Sequence, residues 1–218
     1  MESFFEKLRI GNDPKTALRR KNFKVASARF SLHQNTLDSL MDGIDLETII
    51  KCPVNESIED WLASHVVEFY NKMEALYLVI ISVCTPETCP VMCGGAFTYL
   101  WQDNKNYKKA TRLPATQYIE TLLDWVHDQI HDENLFPPNT SKSFPPNFKK
   151  VVTKIFVRLY RVFVHIYLNH FDRLKDLDAV EKANVFYKHF YLFVKEFGLL
   201  EAKDFEPLQQ LNAKICDE

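Results

Sequence analysis

From Asp60 to Val83 the apolar residues fall at Leu62, Val66, Phe69, Met73, Leu76, Ile80 and Val83, in unbroken steps of four and three. That spacing keeps one side of an α-helix apolar over about 24 residues, and such a helix must bury the stripe against others. Ser57, followed three residues later by Asp60, resembles a capping box with Asp in place of Glu. Pro86 and Pro90 cannot continue the helix, which places its end near Cys84.

The pattern recurs. Phe148, Val152, Ile155, Leu159, Val162 and Ile166 predict a helix from Phe148 to Asn169. Ala183, Phe186, Phe190, Val194 and Phe197 predict another over 179–197, stopped by Gly198. Between the first two, Pro114 leads into a helix over 116–131 that buries Tyr118, Leu122, Trp125 and Ile130, and a short helix is expected over 207–215. Phe97, Tyr99 and Trp101 alternate ahead of the turn-forming "QDNKN", which reads as a small β-hairpin. Five glycines and 17 phenylalanines in 218 residues fit a helical rather than an all-β chain. The expected fold is all-α: three or four long helices with such stripes suggest a bundle with one inserted hairpin.

Charge is uneven. Residues 1–30 hold eight Lys/Arg against three acids, whereas residues 36–60 hold seven acids against Lys51 alone. A basic tail, residues 1–34, is expected to precede a helical domain, residues 35–218, whose first segment is acidic. No apolar run approaches eighteen residues, so no membrane span is expected. The start, "MESFFEKLRIGNDPK", lacks an apolar core of the secretory kind, which points to a reducing compartment, cytoplasmic with the nucleus as a further location. The low net charge of −2 and the acidic segment argue against nucleic-acid binding.

Three of the five cysteines lie in "CTPETCPVMC". Their odd total and the expected reducing compartment disfavour a disulfide staple. Cys84 and Cys89 form C-x4-C at the end of the first long helix, and His165 and His170 form H-x4-H at the end of the Phe148 helix. Two thiolates and two imidazoles make a closed tetrahedral zinc site. The separation of about seventy-five residues rules out a compact DNA-binding finger but suits a clip between two helices. On spacing alone, two buried thiols with two surface histidines is an equal reading, and Cys93 is a rival ligand. Residues five apart on a helix differ by about 140° in direction, so His170 must sit where the helix ends.

"CTPETCPVM", "WVHDQIHDENLFP", "FPPNF", "RLYRVFVHIYLNHF" and "FYKHFYLFVKEFGLLEAKDFEPLQQL" resemble the Mob (Mob/phocein) family of kinase co-activators, from Asn35 to Leu211. Within it the chain looks most similar to the branch that binds NDR/LATS-type kinases in Hippo-like pathways. The resemblance implies a four-helix bundle with one structural Zn2+ held by Cys84, Cys89, His165 and His170. It implies an acidic surface at Glu56, Asp60 and Glu68 for the basic N-terminal extension of such a kinase. It further implies a basic surface for phosphopeptides of an upstream Hippo-type kinase or phosphorylated scaffold. There Arg158 and Arg161 match two of three basic positions. Val157 stands where that branch has Lys, which implies weaker phosphopeptide binding unless Lys154, one turn earlier, compensates. Thr16 and Thr36 resemble threonines whose phosphorylation relieves inhibition by the tail. The expected protein is a monomeric adaptor.

Nothing in the sequence suggests an enzyme. It has no Gly-rich phosphate loop, no H-E-x-x-H and no G-x-S-x-G. The rival from another class is a zinc hydrolase in which water replaces one histidine. A Mob-like scaffold for a different, non-NDR partner is the rival within the family.

Overall fold

The computed structural model describes residues 45–103, 105–138 and 142–216. The expected tail and both Thr16 and Thr36 lie outside them. A one-turn helix α1 (Leu46–Ile49) opens the described chain, capped by Asp45, whose carboxylate accepts the N–H groups of Glu47 and Thr48. Four longer helices follow: α2 (Ile58–Ile80), α3 (Ala115–Ile130), α4 (Phe148–Asn169) and α6 (Val180–Glu196). A six-residue helix α5 (Phe171–Asp176) joins α4 to α6. A 3-10 helix (Ala202–Leu208) runs into α7 (Gln209–Ile215).

α2 is the centre of the bundle, packing against α3, α4 and α6. Phe69, from its stripe, is fully buried, with ring centroids of Phe156 at 5.5 Å on α4 and of Phe190 and Phe193 at 5.4 Å on α6. Offset and edge-on contacts of this kind add to the burial of three large side chains, so one residue couples three helices. Ser57 caps α2, its hydroxyl accepting the Asp60 N–H at 3.0 Å. α6 stops as expected: Gly198, at φ +57°, donates to Lys195 O and Leu199 donates to Val194 O, a Schellman arrangement whose left-handed residue favours Gly. Among the described residues, no helix is long and apolar enough to cross a membrane.

Three expectations need correction. The hairpin pairs β1 (Cys93–Gly94) with β2 (Phe97–Thr98), so it turns at Gly95 and Ala96 rather than at "QDNKN". The reason is tertiary. A Cβ on Gly94 would sit 2.5 Å from Val164 Cγ1, so β1 presses its backbone onto α4 where only Gly fits. Further on, a single Trp101–Thr111 bridge closes a separate loop, in which the Asp103 carboxylate gathers the N–H groups of Lys105, Asn106 and Tyr107. Trp125, Ile130 and Phe197 are half-buried rather than buried. Ile130 and Phe197 sit at helix ends, and Trp125 gives one ring face to Arg158. The terminal helix is 3-10 before it is α, and α5 carried no periodic signal because it is too short to show one.

Candidate metal centre and docking faces

The C-x4-C segment is shaped by its two threonines. Thr88 Oγ1 donates to Val83 O at 2.7 Å and accepts the Thr85 N–H at 2.9 Å, and Cys89 N–H donates to Thr85 O at 2.8 Å. This folds Cys89 back toward Cys84 just beyond α2. His165 lies on α4, and His170 is the residue at which α4 gives way to α5, with φ −131° and ψ 18°. The break in helical geometry brings two side chains five residues apart to one point, as the spacing required.

The ligand atoms of Cys84, Cys89, His165 and His170 all lie within 4.8 Å of one another. Cys84 Sγ is 3.4 Å from His165 Nε2, Cys89 Sγ is 3.4 Å from His170 Nε2, and the two Nε2 atoms are 3.2 Å apart. His165 Nδ1 faces the Cys93 carbonyl at 2.6 Å, to which Asn169 Nδ2 also donates at 2.9 Å. Nδ1 therefore carries the proton, and the Nε2 lone pair points into the cluster, the tautomer that metal ligation needs. Cys93 thus takes part through its carbonyl, outside the four-residue group. No disulfide joins any of the five cysteines.

Burial pushes the Cys84 thiol up, with Cys89 adding to it. Burial, with His165 beside it, takes His170 down to about 4, and burial also lowers His165. The imidazoles are thus neutral near pH 7, ready to ligate. Four converging soft and borderline donors, with no cationic side chain among them, can hold a metal ion.

The expected acidic surface is only partly open. Glu56 is exposed in the turn before α2, Glu59 is exposed on its first turn and Asp60 is half-exposed. Glu68 departs from the expectation of a solvated carboxylate row. It pairs with the buried Lys72 one turn on, and His65 Nε2 and His189 Nδ1 each lie 3.9 Å from its oxygens. Burial works against its ionised form, but Lys72 and the two imidazoles hold its carboxyl below the usual range. The Glu68–Lys72 spacing of four was a visible signal for this pair. The contribution of His189, 117 residues beyond Lys72, had none.

On the basic side, Arg158 is buried. Its guanidinium lies 4.1 Å from the Trp101 ring centre and 4.6 Å from that of Trp125, and Nη2 donates to Gln102 O. Its Nη1 has no hydrogen-bond partner. Lys154 is exposed, with Nζ 5.5 Å from the Trp125 ring centre. Arg161 is half-buried and donates to the Tyr118 hydroxyl at 2.9 Å. The three cations share one side of α4, with Val157, half-buried, between them.

The helices thus bring Cys84, Cys89, His165 and His170 together at one end, with acids at the start of α2 and cations along α4. Residues 38–208 match the Mob1/phocein family. The chain is 43% identical to MOB kinase activator 3A of Homo sapiens over 208 residues, 95% of this chain and 96% of that protein. It is 44% identical to MOB kinase activator-like 3 of Drosophila melanogaster over 205 residues, 94% of this chain and 93% of that one. MOB kinase activator 3C of Mus musculus is 41% identical over 203 residues, 93% of this chain and 94% of that protein. The chain belongs to the Mob1/phocein family, whose members are non-catalytic kinase activators and adaptors.

Proposed function

We propose that the acidic face at the start of α2 binds the basic N-terminal extension of an NDR/LATS-type kinase. The observation that carries this reading is the company the acids keep. Val54 is fully exposed, Ile58 is 55% exposed and Ile49 is 38% exposed, interleaved with exposed Glu47, Glu56 and Glu59 and half-exposed Asp60. Apolar side chains flanked by carboxylates suit a basic amphipathic helix, its apolar face on the isoleucines and valine and its Lys/Arg on the rim. Single rim pairs contribute little, but together they steer association and set register. Glu68, the third carboxylate expected in that set, is instead taken up by its internal pair with Lys72.

A second face is favoured by the cations along one side of α4, where exposed Lys154 and half-buried Arg161 flank the buried Arg158. Lys154, Arg158 and Arg161 would receive a phosphate from an upstream Hippo-type kinase or scaffold, with Arg158 fixed in place by two indoles. With Val157 in place of a third cation, weaker binding is expected. Zn2+ is the ion we assign to the four-residue group. Zinc–sulfur bonds of about 2.3 Å and zinc–nitrogen bonds of about 2.0–2.1 Å give tetrahedral edges of roughly 3.3–3.8 Å, and the donor separations of 3.2 and 3.4 Å suit them. The ion would join the end of α2 to the end of α4 with no position left for substrate.

Calorimetric titration at physiological salt tests the docking reading, using a peptide of the kinase's basic extension against wild type and Asp60→Lys. Micromolar or tighter binding, lost in the variant, is the expected result. No binding by either protein would assign the face to another kind of partner.

A further inference from the structure

Lys72 lies in the middle of α2 and is only 7% exposed. Its ammonium donates to Glu68 Oε1 and, at 3.3 Å across the seam to α6, to His189 Nδ1. It sits over the Phe69 and Phe186 rings, 5.9 and 6.0 Å from their centres. An ammonium only donates, so His189 Nδ1 accepts and its proton is on Nε2, which is buried without a partner. His65, 3% exposed and stacked on Phe193, closes the other side of the Glu68 carboxylate. The titratable groups acting on Glu68 are Lys72 and these two imidazoles, of which only Lys72 is a cation near pH 7, so one buried cation already neutralises the one carboxylate.

We propose that Lys72 closes the Glu68 position to partners, making it the residue that decides which basic segments the acidic face accepts. This rests on the docking reading above. A partner's Lys or Arg approaching Glu68, whose side chain is 37% exposed, would share one carboxylate with the Lys72 ammonium and meet it as a like charge. Lys72 cannot swing aside, because it is buried between aromatic rings and held by two acceptors. The face therefore selects by repulsion at Glu68 as well as by attraction at Glu56 and Asp60. A segment carrying a third cation at that spacing is disfavoured. One that places a neutral or apolar residue there is not.

The test uses the full chain, below its melting temperature, and the same kinase-extension peptide. Wild type, Asp60→Lys, Glu68→Gln, Lys72→Gln, Lys72→Arg and the Lys72→Gln/Glu68→Gln pair are titrated at low and physiological salt. Asp60→Lys should weaken binding about tenfold or more, and Glu68→Gln should change it less than about twofold. Lys72→Gln should tighten it about fivefold, chiefly at low salt. Lys72→Arg should match wild type, and the double variant should lose the gain. If Glu68→Gln weakens binding as much as Asp60→Lys, or Lys72→Gln changes nothing, the proposal falls while the docking reading stands. Binding by Lys72→Gln but not by wild type supports the proposal and removes this kinase from the list of natural partners. If no protein binds, the docking reading fails, and NMR titration of the Glu68 carboxyl decides the pairing. A carboxyl that ionises at lower pH in wild type than in Lys72→Gln supports it, and identical titrations overturn it.

Discussion

Just beyond α2, Cys84 and Cys89 face His165 and His170. Near the middle of the same helix, Glu68 and His65 face Lys72 and His189. Both clusters are largely buried, both tie α2 to another long helix, and both contain two imidazoles. They differ in their positive charge. The second has a lysine ammonium between its acceptors. The first has only donors for a cation, and its two Nε2 atoms face each other at 3.2 Å. A site that lacks its own cation is built to take one from outside. A site that contains one is closed, and its role is to hold the fold and to limit what approaches.

The largest expected effect breaks the first cluster. Cys84→Ser, or prolonged chelation, removes a cross-link between two helix ends and leaves buried polar donors facing one another. The melting temperature should fall by about 10 °C or more, with loss of bound metal, as followed by calorimetry and elemental analysis. Glu68→Gln breaks the second cluster instead. It replaces the carboxylate with an amide oxygen that can still accept from Lys72 but carries no charge to balance the buried ammonium, at a cost of about 2–3 kcal/mol read by denaturant unfolding, and it should leave the metal content unchanged.

Acid sharpens the comparison. Burial, with the Lys72 ammonium adding to it, takes His189 down to about 4, against an ordinary value of 6.5. Above about pH 6.5 the imidazole is neutral in both folded and unfolded chains, so stability is full there. As pH falls from 6.5 toward 4, the unfolded chain takes up the proton first, and stability drops by on the order of 2 kcal/mol. His189→Gln should flatten that part of a melting-temperature profile measured on the metal-loaded protein. The smallest effect is at the end of α6: Gly198→Ala forces a left-handed residue to carry a Cβ and should cost about 1 kcal/mol, touching neither cluster.

How far each cluster could be read from the sequence follows from its physics. C-x4-C and H-x4-H are rare residues at fixed spacings, each next to the end of an apolar stripe, so the candidate ligands and the helices bearing them were legible together, while spacing alone left Cys93 a rival and the set of four followed from the resemblance to the Mob family. The bounds of α4 were legible for the same reason: an uninterrupted stripe ends where His170 must leave it. The Lys72 cluster has no such signature. Glu68 reads as one more acid on a solvated face. Only the packing of α6 against α2 brings His189 onto Lys72 and turns that acid inward. The hairpin was misplaced on similar grounds, because the close contact of Gly94 with Val164 is tertiary and leaves no local pattern.

The contrast between an open and a closed cluster is tested most directly by native mass spectrometry of the chain purified without chelator. One zinc per chain is predicted for wild type, for Lys72→Gln and for Glu68→Gln, and none for Cys84→Ser or His170→Ala. A wild-type chain that carries no ion while melting at the same temperature before and after chelation would contradict the account. So would a Cys84→Ser chain that keeps its zinc.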